Sequence, residues 1–256
     1  MALVIVVLLF LLIAAGFAVY LIRRDKGEKE PIMALWGAFG FGFLGLVIAV
    51  LLESVLIPDI FLDDYVHPLS TLILPALGVG IIEELAKALP ISLFLYKKRY
   101  FNEHTDGIIY FGLAGLGFGL PENILYTLQF GAGAGVGRLF LTPFFHAATT
   151  GLIGYALIRM KLDRDAKWKY GGVILAAVGL HGLYDFGLST QEPLLVVLSI
   201  MITVALTVGL FLLFAHARSL DQVQGLSVVG NNSFCRSCGY PNPKRKLYCA
   251  HCGKHA

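Results

Sequence analysis

Between Gly80 and Pro90 the chain reads GIIEELAKALP, which sets the adjacent carboxylates Glu83 and Glu84 and the ammonium of Lys87 inside an apolar run from Leu69 to Tyr96. Three later apolar stretches each carry their own polar group: Glu122 and Asn123 in GLGFGLPENILY, His146, Thr149 and Thr150 in FFHAATTGLIG, and His181 and Asp185 in GLHGLYDF. An ionisable side chain at membrane depth is costly, and such groups usually face a bundle interior and mark function. Imidazoles with carboxylates are the ingredients of a hydrolytic metal site, where the ion polarises a carbonyl and lowers the pKa of a bound water. A neighbouring carboxylate then takes the water's proton and returns it to the leaving amine. There is no HExxH helix, no serine lies among the deep charged motifs, and no cysteine lies in an apolar run, so serine and cysteine nucleophiles have no support.

Spacing adds local geometry. Glu83 and Lys87 stand at i,i+4 and Glu84 and Lys87 at i,i+3, so both carboxylates can reach the ammonium on one helix face. One lysine cannot neutralise both, which leaves one carboxylate free to act as a base; Glu84 is favoured slightly, because Glu83 has the better helical ion pair. His181 and Asp185 are also four apart, so Asp185 can orient the imidazole or share a metal with it. Pro121 and Pro143 are expected to open the helix before Glu122 and His146. Thr149 and Thr150 are expected to satisfy their own backbone. The bland alternatives are a structural Glu83–Lys87 pair and histidines that only pack. Glu122 resists that reading, because no basic residue in its own apolar stretch pairs with it.

The elements that must hold these groups are membrane helices. Of 256 residues, 57% are hydrophobic and 14% charged, against about a quarter charged in a soluble domain. Apolar runs of about twenty residues recur, enough to cross roughly 30 Å of hydrocarbon as helices, and the alternation of a β-barrel is missing. Seven spans are expected, at 2–22, 32–52, 69–96, 107–130, 139–159, 171–189 and 193–214. No basic residue precedes the first run and RRDKGEKE follows it, so it reads as a retained helix and not a cleaved signal. The loops alternate in charge. Arg23, Arg24, Lys26 and Lys29, then Lys97, Lys98 and Arg99, then Arg159, Lys161, Arg164, Lys167 and Lys169 fall on one side, and ESVLIPDIFLDDYVHP, GAGAGVGR and STQEP on the other. The positive-inside rule makes the basic loops cytoplasmic, with the N-terminus outside and the C-terminus inside. A further span or re-entrant turn within 53–68 would spoil that alternation. At about 1.5 Å per residue, Glu122, His146 and His181 lie roughly 10–13 Å from the outer ends of their spans, with Glu83 and Glu84 near the middle.

The tail is a second unit. Residues 1–216 form the membrane domain, 217–232 a polar linker, and 233–256 carry Cys235, Cys238, Cys249 and Cys252, the four cysteines of the chain. Two CxxC knuckles separated by ten residues supply four thiolates for a closed, structural zinc site, and metal binding supplies the folding energy that so short a segment lacks. Paired disulfides are the alternative, disfavoured in a reducing cytoplasm. His251 and His255 are read as solvated. Lys244, Arg245 and Lys246 read as a solvated turn, and no nucleic-acid partner is expected; the ribbon is a candidate site for a cytoplasmic partner.

The four motifs together resemble the PrsW family of intramembrane proteases, related to the prenyl-protein CAAX proteases. Its EExxK matches Glu83, Glu84 and Lys87. Its FxxxE matches Phe118 and Glu122. Its HAxxTxxxG matches His146, Ala147, Thr150 and Gly154, and its HxxxD matches His181 and Asp185. The motifs fall in order within residues 70–190, and the ribbon lies outside the pattern. The resemblance implies an all-α polytopic protease of the cell membrane that cuts a membrane-anchored protein, such as an anti-sigma factor, near the outer face. On that footing Glu83 and Glu84 are expected to supply the base with Lys87 holding them, and Glu122, His146 and His181 to bind zinc or another divalent metal with Asp185 as fourth ligand or support. A metal-free, glutamate-activated water stays open, as do an ion- or proton-coupled transporter and a non-catalytic scaffold or sensor.

Overall fold

The computed structural model describes residues 1–57, 69–139, 141–163, 167–190 and 192–223, and in the tail Cys235, Ser237, Cys238, Tyr240, Cys249, His251, Cys252 and Lys254. The described residues form eight helices: α1 (Ala2–Arg24), α2 (Ile32–Leu56), α3 (Leu69–Phe94), α4 (His104–Phe130), α5 (Ala132–Arg138), α6 (Thr142–Leu162), α7 (Lys167–Ser189) and α8 (Pro193–Val223). No strand occurs among the described residues.

The bundle is organised around α4. In the most apolar stretch of α4, 72% of the residues are buried, against 22% in α1 and in α8, whose leucines and valines face outward as lipid-facing helices require. Glycine makes this central position possible. A methyl group at Gly107 would overlap the Gly154 carbonyl, one at Gly154 the Gly107 carbonyl, and one at Gly115 the His146 carbonyl, so α4 and α6 touch backbone to backbone. Small residues do this in membranes because lipid gives helices no hydrophobic drive to associate and contact must come from close packing.

Among the described residues, five helices are long and apolar enough to cross a membrane, and the pair α5 and α6, bent by 44°, adds a sixth if taken as one span. The expected third span, α3, carries Glu83, Glu84 and Lys87 in its middle and packs against α2 and α7. Gly131, with φ +87° in the left-handed region that glycine tolerates, ends α4 and turns the chain into α5. Residues 132–138 are therefore helical where the sequence suggested a loop. Pro143 lies in the first turn of α6, where its missing N–H costs nothing, so it starts that helix and does not open it. α4 continues through Pro121.

The basic connections gather at one end, as the loop alternation anticipated. Lys161 Nζ donates to the Tyr96 and Phe101 carbonyls at 2.7 and 2.6 Å, tying the end of α6 to the α3–α4 connection. The Glu28 amide donates to Glu103 Oε1 at 3.1 Å, tying in the α1–α2 connection. α8 also runs on to Val223, past the expected boundary at 216, because Asp221 is anchored. It takes the His104 N–H at 2.7 Å, the Thr105 N–H at 3.1 Å and the Thr105 hydroxyl at 3.0 Å, and so caps α4 from another helix. The rest of the expected linker, 224–232, and the segment 58–68 lie outside the described residues.

Asp221→Ala is expected to lower the unfolding free energy in detergent by about 2–4 kcal/mol, since buried N–H groups lose their acceptor. A surface control, Arg23→Ala, should stay within about 0.5 kcal/mol. Equal stability of both variants would contradict the capping role.

Candidate active site

Four helices bring the sequence-predicted residues together. From α3, the fully buried Lys87 ammonium donates to Glu83 Oε2 at 2.8 Å and Glu84 Oε1 at 3.1 Å, and lies 3.0 Å from His146 Nδ1 of α6. It also sits 3.9 Å from the ring centre of Phe118 on α4. Its three donors thus meet three acceptors. From α7, His181 Nδ1 lies 2.6 Å from Glu84 Oε1, and His181 Nε2 lies 3.2 Å from Glu83 Oε2 and 3.6 Å from Asp185 Oδ2. From α4, Glu122 Oε2 lies 2.6 Å from His146 Nε2. Phe145 and Tyr184, stacked at 3.9 Å, wall the layer, with Phe145 edge-on to His181 at 4.9 Å.

Glycines set the two histidines. A methyl group at Gly119 would stand 2.6 Å from His146 Cδ2. One at Gly182 would stand 2.7 Å from Leu77 Cα, and one at Gly80 would stand 2.6 Å from the Gly182 nitrogen, so α3 and α7 cross one residue from His181.

Several contacts were not legible in the motifs. Thr149 and Thr150 donate to Glu84 Oε1 and Oε2, both at 2.9 Å, so these hydroxyls belong to the site and do not serve their own backbone alone. Glu122 does have a cationic partner, Arg138, which reaches it from α5 at 2.5 Å. Glu53, placed by the sequence in a loop, lies in the last turn of α2, within the electrostatic reach of Glu83, Asp185 and Glu122, with Oε1 buried and unpaired. A four-residue spacing reports pairs within one helix, and none of these pairs is of that kind.

The two central carboxylates have different surroundings. Glu84 is fully buried, and both its oxygens are taken by Lys87, His181, Thr149 and Thr150. Side-chain exposure then rises from 11% at Glu83 to 15% at Glu122 and 27% at Asp185, which marks the open side of the layer. The sequence leaned to Glu84 as the base; these contacts favour Glu83, because a base must reach its water.

The layer also has the donors of a metal site. One ligand atom each from Glu83, His146 and His181 lies within 4.8 Å of the others. Glu122 Oε2, His146 Nε2, His181 Nε2 and Asp185 Oδ2 are buried, and none makes a well-aligned hydrogen bond. Two imidazoles with carboxylates suit zinc. The rings differ: His181 Nδ1 faces Glu84, so a proton held there would leave Nε2 to a metal, the usual carboxylate–histidine arrangement of a metal ligand. Lys87 can only donate, so His146 Nδ1 accepts and its ring proton sits on Nε2, which a metal there would displace.

In the tail, the Sγ atoms of Cys235, Cys238, Cys249 and Cys252 lie within 4.8 Å of one another, with 3.6 Å between Cys235 and Cys252 and between Cys238 and Cys249, and no disulfide joins them. Four thiolates around zinc, with bonds of about 2.3 Å, would stand roughly 3.8 Å apart, so the cluster can hold that ion. His251 stacks on Tyr240 at 4.7 Å, outside the thiol group. His255 and the run 244–246 lie outside the described residues.

The profile of the family described as PrsW family intramembrane metalloprotease matches residues 30–214. The chain belongs to the PrsW family. Protease PrsW of Bacillus subtilis (strain 168) is 28% identical over 187 residues, covering 70% of this chain and 83% of that protein. Protease PrsW of Geobacillus kaustophilus (strain HTA426) is 29% identical over 191 residues, covering 72% and 82%. Protease PrsW of Shouchella clausii (strain KSM-K16) is 31% identical over 175 residues, covering 67% and 77%. No solved structure matches. The family match spans the four motif helices, and the protein is accordingly an intramembrane protease; the transporter and scaffold readings lapse. The ribbon lies beyond the matched PrsW region.

Gly119→Ala is expected to lower proteolysis by about 100-fold, because reacting groups displaced by about 1 Å lose that order of rate, while the helical circular-dichroism signal is kept. Full activity in a folded Gly119→Ala protein would contradict the packing of His146 against α4.

Proposed function

We propose that this protease hydrolyses a peptide bond of a membrane-anchored protein near the end of the bundle opposite the basic connections, using a water activated beside His146 and His181. The reading rests chiefly on one observation: ligand atoms of Glu83, His146 and His181 cluster within 4.8 Å, with Glu122 Oε2 beside His146 Nε2 and Asp185 Oδ2 beside His181 Nε2, in a layer walled by Phe118, Phe145 and Tyr184. A divalent ion, zinc by its donors, would be held by His146, His181 and Glu122 with Asp185 completing the set. When bound, it supplies Lewis acidity toward the scissile carbonyl and the water. Glu83 takes the water's proton and hands it to the leaving amine. Lys87 fixes Glu83 from below, and Glu84, held by Thr149 and Thr150, fixes the ring of His181. The Lys87–His146–Glu122 chain supports a second reading, in which Glu83 and Glu122 activate the water without metal.

Counting α3 gives seven spans, and the positive-inside rule then puts the basic end and the ribbon in the cytoplasm and the N-terminus outside, in the cell membrane. The substrate is cut close to the outer face, and an anti-sigma factor fits that description. The ribbon, with zinc as its structural ion, is free to meet a cytoplasmic partner.

In proteoliposomes with a membrane-anchored substrate, Glu83→Gln should lower kcat by about 10²–10⁴, the range of general-base catalysis. Glu84→Gln, which loosens a support of His181, should lower activity by about 10–100-fold. Near-normal turnover by Glu83→Gln would remove it as the base.

A further inference from the structure

In the sequence, Arg138 closes the glycine-rich stretch GAGAGVGR. It ends α5, and α5 is pressed into place: a methyl group at Gly135 would stand 2.5 Å from Thr127 Oγ1 and 2.7 Å from Val6 Cγ1. The turn at Gly131 therefore sends the chain back along α4 and aims Arg138 at the turn that carries Glu122. Its Nη2 donates to Glu122 Oε1 at 2.5 Å, its Nε donates to Asn123 Oδ1 at 2.7 Å, and the guanidinium lies 4.0 Å from the ring centre of Tyr126. A planar fork held at both nitrogens and on its face has little freedom. The side chain is only 17% exposed.

This clamp divides the work of the Glu122 carboxylate. Oε1 is held by Arg138, which turns Oε2 to within 2.6 Å of His146 Nε2. It also bears on charge. Around the layer stand the carboxylates of Glu53, Glu83, Glu84, Glu122 and Asp185, and Lys87 and Arg138 are the lysine and arginine among their charged neighbours. Lys87 is already committed to Glu83, Glu84 and His146. Glu122 without Arg138 is a buried carboxylate with no cation of its own, free to rotate away from the histidine.

We infer that Arg138 is a positioning residue of the hydrolytic site, which acts through Glu122 by fixing the rotation of its carboxylate toward His146; the inference rests on the proposal that Glu122 belongs to that site. The test is a double-substitution cycle in the full chain, with Arg138→Ala, Glu122→Gln and the pair, read as kcat and KM on a membrane-anchored substrate. Arg138→Ala should lower kcat by about 10–100-fold, the usual effect of losing a group that orients a metal ligand, with KM changed less than about threefold. Arg138→Lys, which keeps the charge but not the fork, should recover part of the loss. The pair should be no slower than Glu122→Gln alone, since residues acting through one another are not additive. Zinc retention at the membrane site, read by competitive chelation of the full chain, should weaken by about 10–100-fold in Arg138→Ala. Normal kcat in Arg138→Ala, or losses that multiply in the pair, would overturn the inference. An inactive Glu122→Gln beside a fully active Arg138→Ala sinks the role of Arg138 alone, whereas a fully active Glu122→Gln sinks the proposed site itself and the inference with it. Should Arg138→Ala not fold, Arg138→Lys carries the same cycle: its smaller loss must vanish in the Glu122→Gln background, and a loss that persists overturns the inference.

Discussion

The Lys87 ammonium, wholly buried at membrane depth, is the constraint on which the rest of the membrane domain depends. A charge removed from water costs several kcal/mol unless its partners are close and complete. Here the partners come from α3 itself and from His146 of α6, with the Phe118 face of α4 against it. Satisfying one lysine therefore requires three helices to converge, and Glu84, drawn to the same ammonium, extends the demand to His181 of α7. The glycine contacts between α4 and α6 and between α3 and α7 let the backbones come near enough for these short side-chain contacts. Packing and polar layer are thus two sides of one requirement: in lipid, neither the close contact nor the ion network has water as an alternative partner.

The layer also has a direction. Its best-satisfied member, Glu84, is its most buried carboxylate, and the less-satisfied Glu83, Glu122 and Asp185 are progressively more open. Glu84 and Lys87, whose polar atoms are fully partnered, are sealed inside, and Glu122 and Asp185, each with an oxygen that lacks a hydrogen bond, lie toward the more exposed side. A protease that works inside a membrane needs this division, because a water-filled cavity reaching the lysine would weaken the interactions that fix the histidines. The tail is a separate case: there the four thiols of Cys235, Cys238, Cys249 and Cys252 gather into a group that can hold a metal ion.

Much of this was legible because it is local. The EExxK and HxxxD spacings place side chains on one helix face regardless of tertiary structure, and apolar length with alternating loop charge gives the helices and their shared basic end. What escaped depends on contacts between elements. Thr149 and Thr150 look like ordinary helix threonines until α3 is brought beside them. Arg138 and Glu122 are neighbours only because Gly131 reverses the chain. The end of α8 looked like a linker because its polar residues match a surface composition, yet Asp221 is buried against the start of α4. The leaning toward Glu84 came from pairing arithmetic within α3 and could not count the hydroxyls and the imidazole that other helices contribute.

The central claim is that the membrane layer binds a divalent metal, and metal content of the purified full chain tests it most directly. The account predicts two equivalents per chain: one lost on Cys235→Ser with Cys238→Ser, the other lost on His181→Ala in protein whose ribbon is intact. A wild-type chain with one equivalent, unaffected by His181→Ala and removed by the cysteine substitutions, would contradict it and leave hydrolysis to the carboxylates and imidazoles alone.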